Sequence, residues 1–120
     1  MNRLDRINAE LKRQLAIILR DGVRDPRVSG LISVMDVSVD KDLTLAKVYV
    51  SIFGQQGSVE DVLAGLNSAE GYIKSRLKSA MILRAIPSLR FILDTSVSYG
   101  MSMDKRLTEL NKNDGKGSAD

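Results

Sequence analysis

Between Thr44 and Phe53 apolar and polar residues alternate, with Ala46, Val48, Val50 and Ile52 set against Lys47, Tyr49 and Ser51. Side chains of a strand point to opposite faces in turn, so this run predicts a strand with one buried and one wet face. A sheet built on it must be covered on one side only. The stretch from Leu31 to Val39 also alternates, with Met35, Val37 and Val39 on one face and Ser38 on the other. The polar Asp40-Lys41-Asp42 between the two runs has turn chemistry, which makes them an antiparallel hairpin.

The cover is supplied by helices. From Leu4, apolar residues recur at Ile7, Leu11, Leu15 and Ile18, the spacing of an amphipathic helix. Asp21-Gly22 predicts its end through a left-handed glycine cap, and Arg24-Asp25-Pro26-Arg27 reads as an extended connector. After the Gly54–Gly57 loop, Ser58 and Asp61 form a weak capping box, and Val59, Val62, Leu63 and Leu66 make a second stripe. The stripe is interrupted at Ala69-Glu70-Gly71 and resumes with Ile73, Leu77 and Ala80. Beyond Pro87, Leu89, Phe91 and Leu93 alternate with Arg90 and Asp94 as a third strand. Met103, Leu107 and Leu110 suggest a short terminal helix. The predicted fold is α+β, in the order helix-strand-strand-helix-kink-helix-strand, with the helices on one face of a three-stranded mixed sheet. Residues 1–110 form one domain, and the polar residues 111–120 are expected to be disordered.

Composition narrows the chemistry. Hydrophobic residues make up 43% of the 120 and aromatic ones only 4%, so the core is aliphatic. Cysteine and histidine are both absent, which removes thiol catalysis, disulfides, the commonest metal ligands and the commonest general base. No GxxxxGK[ST] phosphate loop occurs, and Asp36, Asp40 and Asp42 lack the spacing of a calcium loop. Turn and edge-strand roles suffice for them. No catalytic residue, metal or cofactor is expected. A small hydrolase working through Asp or Glu is disfavoured. The chain has no apolar run of membrane length and no apolar leader core at Met1, so a cytoplasmic, monomeric protein is expected.

The net charge of +3 is mild, but its distribution is not even. Between Gly71 and Leu93 lie Lys74, Arg76, Lys78, Arg84 and Arg90, with no acidic residue. Lys74 and Lys78 are i, i+4 neighbours, and like charges so placed repel in an isolated helix, which favours an anionic partner. Arg76 lies elsewhere on the helix, while Arg84 and Arg90 flank Pro87 in position to continue the stripe. Arg6, Arg13 and Arg20 share the polar face of the first helix, either as a solvated surface or as further contacts.

Gly54-Gln55-Gln56-Gly57 has the GxxG spacing of the KH phosphate-clamping loop. That loop must join two helices, and this one joins a strand to a helix, so ordinary punctuation is the better reading. Ala69-Glu70-Gly71 occupies the helix-to-helix slot instead. Its glycine serves either helix packing or the close approach of a ligand backbone. Glu70 would repel a phosphate at the kink, which moves expected contacts along the helix to Lys74 and Lys78.

These stretches, taken in order, resemble one family. Arg24-Asp25-Pro26-Arg27, Asp42-Leu43, Ala46 to Ser51, Ala69-Glu70-Gly71, Leu83-Arg84, Pro87, Leu89, Phe91, Asp94, Ser96, Gly100 and Met103 are similar to bacterial ribosome-binding factor A. The resemblance spans roughly residues 3 to 107. It implies a type II KH-like topology in which an Ala-x-Gly kink, here Ala69 and Gly71, replaces GxxG. It implies binding to the immature 30S subunit through 16S rRNA, a role in late maturation and rRNA processing, support of growth in the cold, and no catalysis. Lys74 and Arg84 match positions where relatives carry a basic residue. Arg76, Lys78 and Arg90 are added on charge, with Arg13, Arg20, Arg24 and Arg27 as secondary RNA contacts. The alternative is a small αβ module that binds protein through the wet sheet face around Lys47 and Tyr49.

Overall fold

The structure, a computed structural model, describes residues 2–83 and 85–96. Its elements are α1 (Arg3–Asp21), β1 (Leu31–Val39), β2 (Leu45–Phe53), α2 (Val59–Ser68), α3 (Glu70–Ala80) and β3 (Ser88–Leu93). The order is the predicted one. Arg84, the expected terminal helix at Met103, Leu107 and Leu110, and the tail 111–120 lie outside the described residues.

Helix α1 starts at a capping box, with the Asp5 N–H donating to Asn2 Oδ1 at 2.8 Å. It ends at Gly22, whose φ of 103° and ψ of 152° differ from the expected left-handed helical cap. This extended, positive-φ conformation is accessible essentially to glycine alone. The Gly22 N–H still donates to the carbonyls of Ile18 and Leu19, closing the last turn.

Strands β1 and β2 are antiparallel and β3 runs parallel to β2, in the order β1-β2-β3. The hairpin turn is organised by Asp40, whose carboxylate accepts from the Thr44 N–H at 2.7 Å and the Thr44 hydroxyl at 2.6 Å. Those bonds hold the Asp40 pKa below its ordinary value, as expected for a turn aspartate. Buried Val37, Val39, Ala46, Val48, Val50, Ile52, Leu89 and Phe91 form one face of the sheet. They pack with Ile7, Leu11, Leu15 and Ile18 of α1, Val62 and Leu66 of α2, and Ile73 and Leu77 of α3. Ala80, read as part of the α3 stripe, is exposed.

One strand departs from the expected pattern. A bulge falls between Val34 and Asp36, so that Val34 faces Val50 while Asp36 faces Tyr49, leaving Met35 without a register partner. The extra residue shifts the alternation by one. Ile32 and Val34, rather than Met35, pack against the core with Val37 and Val39.

Candidate nucleic-acid interface

Helices α2 and α3 meet at a single residue, Ala69, with φ −86° and ψ 8°, which ends one helix and begins the next. No side chain caps the start of α3. The first-turn N–H groups of a helix have no intrahelical acceptor, so this start favours an anion. Gly71 follows at the second position of α3. A Cβ built there would meet no atom within 4 Å, and its φ is not positive. Helix packing therefore does not require the glycine, and of the two readings of Gly71 only the approach of something outside the chain remains.

The kink is braced from two sides. On the sheet side, β3 is an edge strand whose outer N–H groups need acceptors. Asn67 supplies a surrogate strand: its Oδ1 accepts from the Phe91 N–H at 2.9 Å, and its Nδ2 donates to the Phe91 carbonyl at 3.3 Å. Glu70 Oε2 accepts from the Leu89 N–H at 2.7 Å. The carboxylate that seemed misplaced in a phosphate-binding kink is thus occupied by the sheet edge.

On the other side, the connector between α1 and β1 packs on α2. Arg27 donates to Asp25 through Nε and Nη2 at 3.0 and 2.8 Å, and Nη2 also donates to Ser68 Oγ at 3.0 Å. The paired guanidinium holds the Asp25 carboxyl down at about 2. Gly65 lets this connector approach, because a Cβ there would sit 2.7 Å from Val28 Cγ2 and 3.2 Å from Arg27 Cβ.

Along α3 the buried Ile73 and Leu77 separate two flanks. At ~100° per residue, Gly71, Lys74 and Lys78 share one flank, while Tyr72 and Arg76 share the other. Lys78 is exposed and Lys74 half-buried, and neither is ion-paired among the described residues. Arg76 behaves differently. Its Nη2 donates to Asp21 Oδ2 at 3.0 Å, its Nη1 donates to Tyr72 Oη at 2.9 Å, and its guanidinium lies 5.9 Å from the Tyr72 ring centroid. The Asp21 bond raises the Arg76 pKa further, so Arg76 is a strut from α3 to the end of α1.

The predicted basic residues therefore separate. Ala69, Gly71, Lys74 and Lys78 come together at the kink and along one flank of α3. Arg27 lies behind the kink, held by Asp25 and Ser68, and Arg24 is exposed on the same connector. Arg20 is exposed at the end of α1, and Arg13 is paired with Glu10 at 2.7 Å. Arg90 does not continue the α3 stripe. Its neighbours Leu89 and Phe91 point to the helices, so Arg90 points to the opposite face of the sheet, in register with Lys47. Sequence reasoning did not single out Asn67. The available signal was an amide, which can both donate and accept, one turn before the kink.

Fold and site together define a small KH-like α+β domain of the type II order, with a one-residue kink between its paired helices. A model of the ribosome-binding factor A family matches residues 3–107, and the chain belongs to that family. Ribosome-binding factor A of Agathobacter rectalis is 45% identical over 108 residues, which cover 90% of this chain and 89% of that one. The crystal structure of the Thermus thermophilus factor superposes with a TM-score of 0.67 at 31% identity, covering 75% of this chain and 93% of that one. Coordinates of the Thermus thermophilus factor fitted into a cryo-electron-microscopy map of a 30S complex match with a TM-score of 0.61 at 32% identity, covering 73% and 91%. No described helix is long and apolar enough to cross a membrane.

Proposed function

We propose that this chain is a non-enzymatic assembly factor that binds the immature 30S subunit through 16S rRNA and supports its late maturation, rRNA processing and growth in the cold. It acts as a monomer in the cytoplasm. The observation that carries the reading is the α3 flank, where an uncapped helix start, a glycine with no internal role and two lysines without ion-pair partners lie in line. Family membership and the relative seen with 30S support the choice of partner. Phosphate oxygens would lie against Gly71 and meet Lys74 and Lys78, with Arg84 extending the path toward β3 and Arg20, Arg24 and Arg27 as outer contacts. Contacts of this kind fix position and register but carry no base sequence. Specificity then comes from the shape of the rRNA and its ribosomal surroundings.

The test is co-sedimentation of the Lys74→Ala/Lys78→Ala variant with small subunits at two salt concentrations. Removing two phosphate contacts should weaken binding at low salt and flatten the salt slope by roughly 1.5–2. Unchanged affinity and slope would refute the assignment of this flank.

A further inference from the structure

All three helices pack on one face of the sheet, which leaves the other face open. On β2 the residues facing outward are Lys47, Tyr49, Ser51 and Phe53, a straight track about 20 Å long at the ~6.8 Å spacing of alternate strand residues. Lys47 is the register partner of Arg90 on β3, and Tyr49 is the partner of Ile92. Phe53 is the partner of Leu31 on β1, and the two are 58% and 67% exposed.

We propose that this open face is a second RNA surface, which takes a short single-stranded segment with its backbone at Lys47 and Arg90 and its bases on Tyr49 and Phe53. Three observations favour this occupant over a protein. Two like charges directly opposite each other on adjacent strands are unfavourable unless an anion sits between them. Neither cation is ion-paired among the described residues, and the third member of that row is uncharged Ser38. The core of a protein interface is instead depleted in lysine. Finally, exposed aromatic side chains beside a cationic track are the usual platform for unpaired bases. The acid nearest the aromatics in register, Asp36, is turned to its own strand, its Oδ1 accepting from the Val37 N–H at 2.9 Å.

This surface lies across the sheet from the α3 flank, so it adds to the proposed function and does not restate it. It also gives Arg90 a place, after the structure removed it from the α3 stripe.

The experiment measures binding of a fluorescent single-stranded oligoribonucleotide of mixed sequence to the full chain over a range of salt. Lys47→Ala/Arg90→Ala should lower the salt slope by roughly 1.5–2, since each lost phosphate contact removes about 0.7–1. Phe53→Ala should weaken binding about 5-fold or more at unchanged slope, the effect of losing one stacked base. Both sites are exposed, and an unchanged thermal midpoint confirms that the variants fold. If neither variant changes affinity or slope, the proposal is overturned. A loss confined to the charge pair, with Phe53→Ala neutral, overturns the stacking and with it the single-strand assignment. If Phe53→Ala abolishes binding of an isolated ribosomal protein but leaves the oligonucleotide bound, the face is a protein surface. Lys74→Ala/Lys78→Ala on the same probe keeps the two readings apart. Loss in that variant alone refutes the open face and leaves the α3 flank standing, whereas loss in the open-face variants alone supports the second surface independently of the flank.

Discussion

Replacing Gly71 by alanine should make this protein more stable and a poorer binder. Glycine inside a helix costs roughly 1 kcal/mol relative to alanine, because it gives up more backbone freedom on folding. Gly71 is in the first turn of α3, where part of that cost is relieved by fraying, so the expected gain is about 0.5–1 kcal/mol. Nothing opposes it: the added Cβ meets no atom within 4 Å and the backbone is not in the positive-φ region. For a domain of this size the gain raises the thermal midpoint by roughly 2–8 °C. Against a phosphate backbone seated on Gly71, the same methyl group is overpacked. Forcing a methyl into a filled contact costs about 1–3 kcal/mol, which weakens small-subunit binding roughly 5- to 150-fold. Thermal denaturation followed by circular dichroism, with co-sedimentation on the same preparation, reads both effects. A raised midpoint with unchanged binding would refute the close approach of a ligand at Gly71. A lowered midpoint would show that the fold itself needs the glycine.

The two braces of the kink give separate predictions. Asn67→Ala strips both hydrogen bonds from Phe91 and should cost about 1–3 kcal/mol in denaturant unfolding; a loss below a few tenths would mean that solvent replaces the amide. Glu70→Gln keeps an acceptor for the Leu89 N–H while removing the charge beside the kink. It should retain stability and bind small subunits more tightly at low salt, and equal binding would show that the charge is not felt there. The Asp25–Arg27 brace is tested by acid. Arg27 depresses the Asp25 pKa from 3.8 to about 2, so the pair contributes stability above the ordinary carboxylate value and loses it as pH falls from 3.8 through about 2. In a carboxyl-carbon NMR titration Asp25 should have its midpoint near about 2, and Arg27→Ala should return it toward 3.8. A midpoint unmoved by that substitution would contradict the assigned cause.

Much of the architecture was legible because each element buries one face, and burial writes its period into the sequence. The alternation on β2 set the sheet, and the spacing of Ile7, Leu11, Leu15 and Ile18 set α1 against it. The β1 phase slip was hidden by composition: Val34 and Met35 are both apolar, so either parity fits until pairing with Val50 decides. The charge pattern misled for a different reason. The run from Gly71 to Leu93 contains no acid, yet Arg76 is paired with Asp21 from another helix, and no count along the chain reveals that. The position of Arg90 was readable, since it lies between the core residues Leu89 and Phe91 and must face away from the helices that cover them.

Glu70 joins these two kinds of information. Read locally, it is a negative charge at the one place where an anion should bind. In the fold it belongs to an edge-strand problem: β3 is parallel to β2, has no strand outside it among the described residues, and leaves the N–H groups of Leu89 and Phe91 to be met from elsewhere. Asn67 and Glu70 meet them from the last turn of α2 and the first of α3, so the residues that end the sheet also set the angle at which α3 leaves it. Ser68, between them in sequence, is held from the opposite side by Arg27. A kink gripped by the sheet edge on one side and by the α1–β1 connector on the other presents Gly71, Lys74 and Lys78 along a fixed line. That line is what a non-enzymatic binder of folded RNA requires, because its recognition rests on where phosphates lie and not on which bases carry them.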